Sequence, residues 1–304
     1  MACVADQTKP RTILLAHGLF GFSKLGPLSY FNGVRRCFDA ECAFLTPDVE
    51  PAGSIKERAA QLEQAIPPEL RHDGAGIHIV GHSMGGLDAR YLMSSKGLGR
   101  ASWIASLTTI STPHRGSPLA DLIIGERTVK LSDLDGLLGL PADTIASILR
   151  SLKHPGPFHL PVLAPQALLD ALKDFKTYVA NILGTKPEAF HDLTTSFTKT
   201  FNNDHPILAG VPLLSYAGDS NPSLSMCRAL YVPWAFMKAI AGDNDGAVPT
   251  SSSAWGELVR TVPADHFEEV GLAGNFDGFP PILHYDVCNI YRDIDAWQKS
   301  LEPA

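Results

Sequence analysis

The chain has 304 residues, 45% of them hydrophobic and 19% charged, with a formal net charge of -7. That composition excludes a disordered chain, and an acidic balance without a basic stripe argues against nucleic acid as a partner. No apolar run is long enough for a transmembrane segment, and residues 1–10 lack a basic stretch leading into an apolar one, so no signal peptide is expected. The chain is therefore expected to be cytoplasmic as written, or secreted if the sequence is a mature form.

Three short apolar runs come first: Thr12–Ala16, Ala43–Thr46 and Ile77–Val80. Helical patterns occupy Pro27–Phe38 and Ser54–Leu70 between them, the second opening on a capping box of Ser54 and Glu57. A helix over Gly86–Ser95 and a strand over Trp103–Ile110 follow. Strands alternating with helices predict a doubly wound, mostly parallel sheet, whose strands are buried on both faces and so show no polar alternation. From Ser117 to His205 the pattern changes to Leu- and Ala-rich stretches, Leu131–Leu140, Ile145–Leu152, Val162–Leu172 and Tyr178–Leu183. These predict short amphipathic helices. The βα rhythm returns at Pro212–Ala217 and Glu257–Val262 and closes with a helix over Asp286–Leu301. Residues 1–116 and 206–304 thus form the expected α/β core, and 117–205 a helical cap or lid at the carboxyl edge, where open α/β sheets bind ligands.

The five cysteines are Cys3, Cys37, Cys42, Cys227 and Cys288. Their odd count and the lack of a CxxC spacing predict buried thiols, with a bridge from Cys227 left open.

Gly81-His82-Ser83-Met84-Gly85 fits G-x-S-x-G. The expected strand before it and helix after it supply the context that a nucleophile elbow needs, a sharp turn that exposes the serine oxygen. Two backbone N–H groups would then form an oxyanion hole, one from Met84 after the nucleophile and one from Leu19 in the His17-Gly18-Leu19-Phe20-Gly21 loop.

These motifs, with Ser111-Thr112-Pro113-His114-Arg115-Gly116-Ser117 and Asn244-Asp245-Gly246, resemble the bacterial true lipases of the Pseudomonas and Burkholderia type. The resemblance spans residues 11–120 and 240–300. It implies the α/β-hydrolase fold, a mobile lid, ester hydrolysis and a Ser-Asp-His triad, with Ser83 as nucleophile and Leu19 and Met84 as oxyanion donors. Three aspartates compete for the acid: Asp245, to which the resemblance points, Asp219 after a strand, and Asp243. Two histidines compete for the base. His266 follows the last expected strand and lies in a His-Phe-Glu-Glu-Val stretch similar to the family's, whereas His284 falls at the entry of the closing helix. His82 and His114 are read as structural.

The family also implies a structural calcium near the catalytic His. One carboxylate ligand would be Glu268; the segment that should hold the other, Asn221–Ile240, contains no Asp or Glu. Calcium takes six to eight oxygens. No cofactor is therefore expected, with Glu268 as a ligand only if the site is kept. The expected substrate is a hydrophobic ester, at a lipid or polymer interface. A short-chain esterase, a thioesterase and a polyester hydrolase would share the triad, and a non-catalytic binding protein would lack one of its members.

Overall fold

The computed structural model describes residues 10–19, 30–128, 130, 133, 188–221, 226–227, 230–272 and 285–302. Six strands, β1 Thr12–Ala16, β2 Ala43–Leu45, β3 Ile77–His82, β4 Ile104–Ile110, β5 Leu213–Gly218 and β6 Leu258–Val262, form one sheet in the order β2-β1-β3-β4-β5-β6. Every neighbouring pair is parallel. The described helices are α1 Ile55–Ala65, α2 Met84–Met93, α3 Pro118–Ile124, α4 Glu188–His191, α5 Thr195–Asp204, α6 Tyr231–Ala241, α7 Thr250–Ser253 and α8 Cys288–Lys299.

Strand β1 is buried along its whole length because it faces helices on both sides. Ile13 and Leu15 pack with Ile290, Tyr291 and Ile294 of α8. Leu14 and Ala16 pack on the other face with Leu62 of α1 and Ala89 and Leu92 of α2. At the sheet's edge, Leu258 and Val259 of β6 remain exposed.

Helix α1 starts as expected, with Ser54 Oγ accepting the Glu57 N–H at 3.2 Å. It ends at Ala65 rather than Leu70, because Ile66 precedes Pro67 and turns extended, and residues before proline disfavour the helical region. A helix over Pro27–Phe38 is not found in the described part, residues 30–38, where a single 3-10 turn runs from Val34 to Cys37. Gly33 stands before it at φ 70, a left-handed residue that breaks any continuous helix. Of the stretch 117–205, the described residues form α3, α4 and α5. The helices expected at 131–140, 145–152, 162–172 and 178–183 lie outside the described residues, Asp133 apart.

The cysteine expectation is corrected. Cys37 and Cys288 form a disulfide across 251 residues of sequence, fastening the 3-10 turn to the start of α8. Residue spacing could not show this pair, because only the packing of α8 against the turn brings the two sulfurs together. Cys227 lies buried outside this bond. Closing so long a loop restricts the unfolded chain, and such bonds contribute about 2–5 kcal/mol. Unfolding in urea with dithiothreitol should therefore give a lower midpoint than unfolding without it. Coincident midpoints would show that the bond does not stabilise the fold.

Candidate active site

The site assembles at the carboxyl ends of the strands. Ser83 follows β3 at φ 55, ψ −130, a strained turn for a residue with a side chain, and α2 begins at the next residue. Gly85 permits this turn, since a Cβ there would run into the backbone oxygen of Ala16. Met84 is the first residue of α2, so its N–H is among those that helix geometry leaves without an intrahelical acceptor.

Opposite Ser83 runs the loop after β1. A Cβ on Gly18 would stand 2.6 Å from Ser83 Cβ and 3.1 Å from Ser83 Oγ, so only a glycine lets this backbone approach so closely. Hydrogen bonds fix the loop. Arg58 Nη2 donates to the His17 carbonyl at 2.6 Å. Val49 N–H donates to His17 Nε2 at 3.2 Å, which leaves the imidazole proton on Nδ1 to donate to the Gly18 carbonyl at 2.9 Å. The Gly18 C=O and Leu19 N–H belong to one planar trans peptide and point in opposite directions. Holding the carbonyl therefore aims the Leu19 N–H. Leu19 itself lines the cavity beside Ser83.

Of the three candidate acids, Asp245 meets the histidine: its Oδ2 lies 2.7 Å from His266 Nδ1. Its Oδ1 accepts the Ala247 and Val248 N–H groups at 2.8 and 2.7 Å. Neighbouring Asn244 holds the turn, accepting the Gly246 N–H at 2.9 Å and donating to the Gly242 carbonyl at 3.0 Å. Asp243 points outward to Lys238. Asp219 gives its N–H to the Val262 carbonyl, and burial raises its carboxyl above the usual range. His284 lies outside the described residues. His114 is buried, stacked on Trp255 and bonded to Arg90 and Thr109 at 3.1 Å each.

Ser83 and His266 line one apolar cavity of about 180 Å³. Its other walls include Leu119, Ala120 and Ile123 of α3, Phe190 of α4, and Leu230.

Residues 52–128 match the family model of a PGAP1-like alpha/beta domain. A triacylglycerol lipase of Pseudomonas fragi is 29% identical over 286 residues, covering 85% of this chain and 87% of its own. Triacylglycerol lipase 2 of Saccharomyces cerevisiae is 28% identical over 82% of this chain; the chain spans 64% of that relative's length. The crystal structure of Staphylococcus hyicus lipase superimposes with a TM-score of 0.63 at 17% identity, covering 98% of each chain. The chain has the α/β-hydrolase fold and is similar in sequence to triacylglycerol lipases.

The described residues do not fit the calcium that the lipase resemblance implies. Glu268 is buried, with Oε2 accepting the Asp265 N–H at 3.0 Å and Oε1 the Tyr285 N–H at 3.3 Å. Asp265, also buried, is filled in the same way: Oδ1 accepts the Phe267 and Glu268 N–H groups at 2.8 and 2.9 Å, and Oδ2 that of Cys227 at 2.6 Å. Burial pushes the Asp265 carboxyl up to about 6, with these N–H groups opposing. Among the described residues, the cluster of side chains with metal-ligating atoms is His82, His266 and Glu269, a set poor in the oxygens that calcium needs.

Several residues that shape the site were not singled out in the sequence. Arg58 had a signal: it lies on the face of α1 that also buries Ile55, Ala59 and Leu62, where a charge requires a partner. Tyr30 and Glu269 had none beyond Glu269's place in the His-Phe-Glu-Glu-Val stretch.

Two buried histidines make the fold acid-sensitive. His17 and His78 are each held down to about 4 from an ordinary 6.5, chiefly by burial and then by the charges of Arg58 and Arg11 respectively. Between those values the unfolded chain binds more protons than the folded one, so stability rises with pH there. It is full above about 6.5 and lost as pH falls toward about 4. Urea midpoints should drop across that window, and less steeply in His78→Gln. An equal drop in the variant would remove His78 from the account.

Proposed function

We propose that this chain, an ester hydrolase by its relatives and fold, cleaves hydrophobic carboxylic esters through an acyl-enzyme on Ser83. The observation that carries the reading is the His266–Asp245 pair at 2.7 Å opening onto the same apolar cavity as Ser83 in its strained elbow. Ser83 Oγ attacks the ester carbonyl carbon while His266 Nε2 takes its proton. Asp245 holds the imidazole proton on Nδ1 and stabilises the imidazolium. The Leu19 and Met84 N–H groups receive the negative charge that forms on the carbonyl oxygen. The tetrahedral intermediate collapses, the carbon–oxygen bond to the alcohol breaks, and His266 returns the proton to the leaving alkoxide. Water, deprotonated by His266, then releases the acid and restores Ser83.

The acyl chain fits the cavity between Leu119, Ile123, Phe190 and Leu230, where α3 and α4 supply apolar wall to the core's catalytic edge. Each buried CH₂ contributes about 0.8 kcal/mol, so kcat/KM should rise roughly fourfold per added carbon from p-nitrophenyl acetate until the cavity is full. A fluorophosphonate probe should label Ser83 and stop the reaction. A profile that falls from acetate onward would identify a short-chain esterase instead. An unlabelled Ser83 would remove the acyl-enzyme reading altogether.

A further inference from the structure

We propose that Tyr30, His82 and Glu269 are positioning residues that hold the Gly18 peptide, and through it the Leu19 N–H, in place for acyl transfer. The proposal rests on the reading of Ser83 given above. Four side chains and one backbone group form a continuous buried chain. Ser111 Oγ–H donates to Glu269 Oε1 at 2.6 Å, and Glu269 Oε2 lies 3.2 Å from His82 Nε2. His82 Nδ1 lies 2.7 Å from Tyr30 Oη, and Tyr30 Oη accepts the Gly18 N–H at 3.1 Å. Tyr30 is 8% exposed, His82 1%, Glu269 0% and Ser111 0%.

A carboxyl buried this deeply is costly unless its hydrogen bonds are met, and leucine could fill the same space at no such cost. Burial, with the charge of Asp245, holds the Glu269 carboxyl well above the usual range, and burial holds His82 well below its own. Both directions favour the neutral forms. In those forms Glu269 Oε2–H can donate to His82 Nε2 and His82 Nδ1–H to Tyr30 Oη, which still accepts the Gly18 N–H through its second lone pair. The chain begins at Ser111, a non-glycine residue at φ 42 just after β4, and passes through the residue before Ser83. It ends on the glycine whose Cβ position is 2.8 Å from Tyr30 Oη and 2.6 Å from Ser83 Cβ.

With Arg58 on the His17 carbonyl and His17 on the Gly18 carbonyl, Tyr30 completes the fixing of this backbone. An oxyanion donor accelerates a reaction only as far as it is preorganised. Releasing the Gly18 N–H should therefore cost turnover more than substrate binding.

The test uses the full chain, with active sites counted by fluorophosphonate titration so that only folded enzyme is scored. Tyr30→Phe and Glu269→Leu should each lower kcat per site about tenfold with KM changed less than about twofold, the scale of one lost, net-favourable hydrogen bond. Glu269→Gln can accept from Ser111 and donate to His82 as the protonated Glu269 does, so it should retain most of the wild-type kcat. The proposal falls if Tyr30→Phe and Glu269→Leu keep wild-type kcat per site, if the loss appears in KM, or if Glu269→Gln is as impaired as Glu269→Leu. Retained activity in Ser83→Ala would instead overturn the nucleophile reading.

Discussion

Ser83→Ala is expected to lower kcat for p-nitrophenyl butyrate by about six orders of magnitude, to the residual catalysis of an oxyanion site without a nucleophile. The fold should not respond, because alanine accepts the same φ 55 backbone as serine and removes only an oxygen facing the cavity. Asp245→Asn should cost about 10⁴-fold in kcat, for a reason visible in the hydrogen bonds. Asp245 Oδ1 accepts two backbone N–H groups while Oδ2 receives His266 Nδ1. An asparagine that keeps its oxygen on Ala247 and Val248 presents its NH₂ to His266. The imidazole must then carry its proton on Nε2, where it can no longer accept the proton of Ser83. Matched melting temperatures with lost turnover would support both roles, and turnover within tenfold of wild type in either variant would contradict them.

The largest effect on stability is expected from Arg58→Met. Arg58 and Asp88 are both 0% exposed, with Nε 2.8 Å from Oδ2. The same guanidinium donates to the carbonyls of Glu50 at 2.9 Å and His17 at 2.6 Å. Removing it strips all three acceptors of their donor in a dry interior. Burial already lifts the Asp88 carboxyl to about 7, with Arg58 opposing the rise. Breaking one side of such a pair costs about 3–5 kcal/mol. The double variant Arg58→Met, Asp88→Leu removes both charges and should recover part of that loss. Urea unfolding of the wild type, both single variants and the double variant gives the coupling directly. Additive losses would show that the pair does not act as one. Because Arg58 also holds the His17 carbonyl, the folded Arg58→Met enzyme should turn over more slowly.

These two experiments probe features of opposite legibility. Ser83 could be proposed from its five-residue motif together with the strand before it and the helix after it, because a nucleophile elbow is a local event whose strand, turn and helix are consecutive. The parallel sheet was legible for a similar reason. A strand buried on both faces has to be apolar at every position, as Ile13, Leu14, Leu15 and Ala16 are. Asp245 and His266 were partly legible. Chain order and the resemblance favoured them; distance then separated Asp245 from Asp219 and Asp243, while His284 lies outside the described residues.

By itself, then, the sequence determined the strand–helix rhythm and the elbow motif around Ser83, which depend on neighbours a few residues apart, and with the resemblance it offered short lists for acid and base. Only the tertiary structure decided which aspartate meets His266 and that Cys37 joins Cys288. It alone placed Arg58 on the His17 carbonyl and linked Glu269 through His82 to Tyr30. Each of these is a contact between segments far apart in the chain. A side chain's hydrogen-bonding capacity is written in its residue type, but its partner is fixed only when burial removes water and leaves one acceptor within reach.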